Sequence, residues 1–117
     1  MNIENAWVQN IENVELQSIS WLAGQWRRLV DRSQAGQPGL IFAVGRLEPG
    51  EVAAWHEHPE DEVFLVVRGH GVVRWRLGEE EFEAAVEPGS AFFKVGGVPH
   101  QMTVVGEEPL IGVGCKV

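Results

Sequence analysis

The chain is 117 residues long, enough to bury one hydrophobic core but not two. A formal net charge of −8 and a pI near 4.9 argue against nucleic acid and against an anionic membrane surface, since both would repel it. Its one cysteine, Cys115, excludes an internal disulfide framework, and no apolar run reaches the roughly 18 residues that span a bilayer.

The first stretch, "MNIENAWVQNIENVE", has neither a basic n-region nor a continuous apolar h-region, so it does not read as a signal peptide. A soluble cytoplasmic protein is the expectation. Residues 1–35 read as a leader that packs on the domain or on a dimer partner, with a strand in the second half of "WLAGQWRRLVD". "SQAGQPG" (33–39) is a turn cluster. From residue 36 to 117 come short apolar runs, each ended by Gly, Pro or acidic residues: "LIFAVGRL", "VAAWHEH", "EVFLVVRG", "GVVRWRL", "FEAAV", "AFFKV", "QMTVV" and "LIGVGCKV". Short runs rich in Val, Phe, Leu and Trp, spaced by turn residues, predict an all-β sandwich or barrel, and 14 glycines and 6 prolines supply the turns. No linker or low-complexity segment interrupts it, so 1–117 reads as a single domain.

Within it, "RWRLGEEEFEA" predicts a β-hairpin about Gly78 and Glu79. Val73, Trp75 and Leu77 would share one face of the strand and Val72, Arg74 and Arg76 the other. "LEPGE" and "VEPGS" are similar Glu-Pro-Gly turns, each ahead of a strand and a histidine.

The chemistry concentrates at "WHEHPEDE" (55–62), which holds two of the four histidines. Alternation along a strand sends His56 and His58 to one face, a geometry that lets two imidazoles grip one ion. Pro59 turns the chain, and a short turn can return Glu62 beside them at the head of a strand whose inner face carries Phe64 and Val66. His100 opens another strand after a Gly-Gly-x-Pro turn, with Met102 and Val104 on its face, and is a fourth candidate. Asp61 would sit in the turn, and Glu57, Glu60 and Glu79–Glu81 would be solvated. His70, between two glycines, reads as a turn residue without a role, Arg46 as a solvated edge arginine, and Cys115 as a structural thiol.

Together these residues resemble the cupin superfamily. Its first motif, Gly, five residues, His-x-His, three or four residues, Glu, six residues, Gly, is matched at every spacing by Gly50, His56, His58, Glu62 and Gly69. The second is matched by Gly89, Gly97 and His100, with Val95 in place of its proline and Val104 in place of its asparagine. The resemblance implies an all-β conical barrel, or jelly roll, that is commonly a homodimer. It also implies one divalent transition metal per chain, held by His56, His58, Glu62 and His100. Fe, Mn, Ni, Zn and Cu all suit such a donor set.

Four protein ligands leave one or two positions open, and the positive site would stabilise an anionic substrate. Glu62 could also detach and act as the catalytic base. Strand parity places Val52, Ala54, Phe64, Val66 and Met102 around the site, so a small, largely apolar or aromatic substrate is expected. The leading expectation is a metal-dependent enzyme of oxygenase type. An isomerase or lyase is the nearest alternative, and a non-catalytic metal or small-molecule binder the next. A metal-free sugar epimerase fits poorly, because all four ligands are present.

Overall fold

A computed structural model describes residues 10, 12, 17–19, 22–31 and 39–117. The turn cluster expected over 33–39, apart from Gly39, and most of the leader lie outside the described residues. Among those described, ten strands follow in order: β1 (Gln17–Ile19), β2 (Leu22–Asp31), β3 (Ile41–Leu47), β4 (Val52–His56), β5 (Glu62–Arg68), β6 (His70–Leu77), β7 (Glu80–Val86), β8 (Ala91–Lys94), β9 (His100–Val105) and β10 (Leu110–Lys116). They form a six-stranded sheet, β1-β2-β3-β10-β5-β8, and a four-stranded sheet, β4-β9-β6-β7. Every pairing is antiparallel. This is the jelly-roll arrangement expected of the sequence. No helix among the described residues is long and apolar enough to cross a membrane.

The core lies between the sheets. Leu47, Phe64, Val66, Phe92 and Leu110 enter from one, and Ala53, Val73, Val86 and Met102 from the other. β5 shows the period of two most clearly: Glu62, Phe64 and Val66 are buried, whereas Val63, Leu65 and Val67 face outward.

The two Glu-Pro-Gly turns close in the same way. Glu51 N–H donates to Glu48 O at 3.0 Å, and Ser90 N–H donates to Glu87 O at 2.9 Å. In return, Glu48 N–H donates to Glu51 Oε1 and Glu87 N–H to Ser90 Oγ. Proline in the second position and a glycine of positive φ in the third (86° at Gly50, 96° at Gly89) give both a type II turn. The β6–β7 hairpin turns at Gly78 and Glu79, with Leu77 opposite Glu80. Trp55 carries the Arg76 guanidinium over its ring at 3.8 Å.

The strand expected in the second half of "WLAGQWRRLVD" runs over Leu22–Asp31 and joins the larger sheet, paired to β3 with Trp26 opposite Gly45. Two expectations change. His70 is the exposed first residue of β6, because the turn is made by Gly69 alone, at φ 84°. Val52 and Ala54, expected to share the inner face with His56, are exposed, and Ala53 is the buried one. A register shift between Ala53 and His56 in the β4–β9 ladder reverses the parity ahead of the histidine.

Candidate metal centre

Two loops bring the histidines together. His56 ends β4 and is the register partner of His100, which opens β9. His58 lies in the β4–β5 loop, and its carbonyl accepts the Gly97 N–H at 2.8 Å, tying that loop to the one ahead of His100. Asp61 adds a second tie, its Oδ1 accepting from Gly96 N–H at 2.8 Å. Gly96 passes so close to Pro59 O that a Cβ there would strike it. Asp61, expected as a solvated turn residue, therefore fixes the relative position of both loops.

The ring centroids stand 4.3 Å apart for His56 and His100, 5.1 Å for His58 and His100 and 6.1 Å for His56 and His58. One ring nitrogen from each lies within 4.8 Å of the others, so the three could hold a metal ion.

The hydrogen bonds set which nitrogen faces inward. His56 Nδ1–H donates to Ala54 O at 2.6 Å, His58 Nδ1–H to Glu60 O at 2.8 Å and His100 Nδ1–H to Val98 O at 3.0 Å. A carbonyl only accepts, so each Nδ1 carries the proton and each Nε2 carries the lone pair of a neutral imidazole. His100 Nε2 is buried and has no hydrogen-bond partner. An orphaned lone pair inside a barrel is costly unless a ligand occupies it, so this donor set fits a transition metal. Burial also lowers the His100 pKa from 6.5 to about 4 and pushes that of His56 down. Both rings are thus neutral near pH 7, as metal ligands must be.

Glu62 turns inward from the first position of β5, with Oε2 3.9 Å from His58 Nε2. The same oxygen lies 3.4 Å from Lys94 Nζ. Lys94 is the residue that sequence reasoning missed. It is only 6% exposed and faces inward beside Phe92, directly opposite Glu62 in the β5–β8 ladder. Its ammonium sits 4.8 Å from the Phe64 ring centre and 5.9 Å from that of Trp26. Glycine makes room for both rings, since a Cβ at Gly112 would strike Phe64 and one at Gly45 would strike Trp26. Desolvation lowers the Lys94 pKa, and Glu62 opposes that shift. The signal was present in "AFFKV": inward Phe92 implies inward Lys94.

A cavity of about 390 Å³ reaches the cluster at His100. Trp75, Phe92 and Val98 line it, and Lys94 and His100 are the ionisable groups on its wall. The expected pocket residues Phe64, Val66 and Met102 are buried in the core cluster, whereas the cavity opens between β6 and the edge strand β8.

A family model described as a cupin domain matches residues 43–113, more than half of the chain. No curated protein sequence matches it. Among solved structures, oxalate decarboxylase of Lactobacillus farciminis in its formate complex is similar at 19% identity and a TM-score of 0.76, over 90% of this chain and 31% of that one. Oxalate decarboxylase of Bacillus subtilis at pH 4.6 gives 20% identity and a TM-score of 0.75, over 91% and 27%. A predicted oxalate decarboxylase of Thermotoga maritima gives 20% and 0.77, over 94% and 97%. The chain thus spans less than a third of the first two and nearly all of the third. At such identities the likeness is one of fold. Fold, family model and the histidine cluster agree, and the chain belongs to the cupin family.

Proposed function

We propose that this protein is a metal-dependent enzyme of oxygenase type that acts on a small organic substrate with an apolar body. The observation that carries the reading is the inward set of Nε2 atoms on His56, His58 and His100, one of them buried without a partner. These three residues would hold one divalent transition-metal ion per chain, with the Glu62 carboxylate beside them as the fourth group of the site.

When bound, the ion would supply Lewis acidity and, if redox-active, electrons for dioxygen chemistry. The chain's own residues do the rest. Trp75, Phe92 and Val98 exclude water and receive the apolar part of the substrate. Glu62 is the residue in the site able to take a proton from it, and Glu62→Gln should then slow turnover while the ion is retained. The expected homodimer belongs to the same reading, and sedimentation of the purified chain checks it.

A second reading, a decarboxylating lyase, draws on the oxalate decarboxylases of like fold. The apolar cavity wall fits a small dicarboxylate less well than an apolar substrate. Metal analysis should find about one transition ion per chain. Fe(II)-loaded protein would be offered diketones, catechols, flavonols and small thiols while oxygen uptake is recorded. Uptake with one class supports the oxygenase, and CO₂ release from small carboxylic acids without oxygen uptake replaces it with the lyase.

A further inference from the structure

Glu62 has two claims on it. One is the histidine cluster, with His58 Nε2 at 3.9 Å from Oε2. The other is Lys94, whose Nζ is at 3.4 Å from that same oxygen, opposite in the ladder and shut off from water. The ammonium is further held against the faces of Phe64 and Trp26. The ring nitrogens of His56, His58 and His100 come within 4.8 Å of one another, and the carboxylate does not join that group.

We infer that Lys94 withholds Glu62 from the metal, so that His56, His58 and His100 alone hold the ion and Glu62–Lys94 stands behind them as a neutral pair. The inference rests on the metal site proposed above. Drawing Glu62 onto the ion would strip a buried ammonium of its partner and leave it beside a dication, two like charges in a medium that screens them poorly. Keeping the pair intact costs nothing further, and three neutral imidazoles satisfy the ion's nitrogen preference. Held by three neutral donors, the ion would retain its full double charge. Such a centre favours an anionic ligand that chelates through two oxygens over a neutral one.

The test uses Co(II) as the probe, with affinity and visible absorption as readouts independent of turnover. The double variant Glu62→Gln/Lys94→Met removes the pair without changing net charge. It should bind Co(II) within about threefold of wild type and with an unchanged spectrum, whereas a loss beyond about thirtyfold with an altered spectrum overturns the inference. Lys94→Met alone frees the carboxylate, so Co(II) should bind at least about tenfold more tightly, and equal or weaker binding overturns it. Wild-type protein provides a check that needs no variant. Its metal-loaded minus metal-free infrared difference spectrum should show no shift of a carboxylate stretch, and a shift that vanishes in Glu62→Gln overturns the inference. Wild-type protein that takes up no Co(II) would remove the metal reading itself. Uptake by wild type that is lost in the double variant removes only this inference.

Discussion

The two ends of β5 carry ion pairs of the same length and opposite surroundings. At its start Glu62 meets Lys94 at 3.4 Å, with side chains 9% and 6% exposed. At its end Arg68 meets Glu108, also at 3.4 Å, with side chains 63% and 53% exposed. Equal distance does not mean equal consequence. Water solvates Arg68 and Glu108 whether or not they touch, so their attraction adds little. Glu62 and Lys94 have lost that solvation, and each is the opposite charge that offsets the burial of the other. The sheet thus keeps one pair whose members cannot be removed singly without cost and another whose members can.

Several substitutions would sharpen or break that contrast. The largest effect should come from the ligands: His58→Ala or His100→Ala should weaken metal binding by more than about 100-fold, read by titration calorimetry. Glu57→Gln, one residue from His58 but exposed, should leave it unchanged. Next, Lys94→Met should lower the stability of the metal-free protein by about 3–5 kcal/mol in urea melts, because it leaves a buried carboxylate unpaired. The double variant with Glu62→Gln should recover most of that loss. If Lys94→Met alone proves neutral, the contrast between the two ends of β5 fails.

A third effect is pH dependence. The unfolded chain binds a proton at His100 near pH 6.5, whereas the folded chain holds that pKa at about 4. Between those values the unfolded state binds more protons, so acidification favours it. Metal-free protein should therefore keep this part of its stability above pH 6.5 and lose it steadily towards pH 4. His100→Asn should flatten that slope in urea midpoints recorded across the range. The smallest effect belongs to the exposed pair: Arg68→Gln should shift stability by less than about 1 kcal/mol.

Much of this was legible in the sequence. Short apolar runs between Gly and Pro turns announced the strands, "EVFLVV" with its inner face among them, and "GHGVV" failed only in where its turn ends. Both Glu-Pro-Gly turns were recognisable as a pair because proline and glycine each demand a particular backbone angle there. His56 and His58 could be named because their spacing is local and their chemistry rare, and His100 because it falls at the histidine of the second motif. Val52 and Ala54 were misplaced because parity counted back from His56 assumes an unbroken ladder, and a register shift is invisible in a single strand. Lys94 was overlooked for a different reason. A lysine is expected at the surface, and only its pairing across two strands with Glu62 makes burial tolerable. Asp61 likewise acquires its role from Gly96, thirty-five residues away.

The three histidines share one further property. Each Nδ1–H is held by a main-chain carbonyl two positions away in its own segment: Ala54, Glu60 and Val98. Metal-binding histidines are often oriented by a carboxylate, which a single mutation can delete. Here every residue type offers the same carbonyl, so the aim of the rings is written into the path of the chain. Substitutions at 54, 60 or 98 that keep that path should leave the imidazoles pointing where they do. The surroundings of this site are thus free to diversify in sequence, and with them the substrate, while its capacity to grip an ion stays constant.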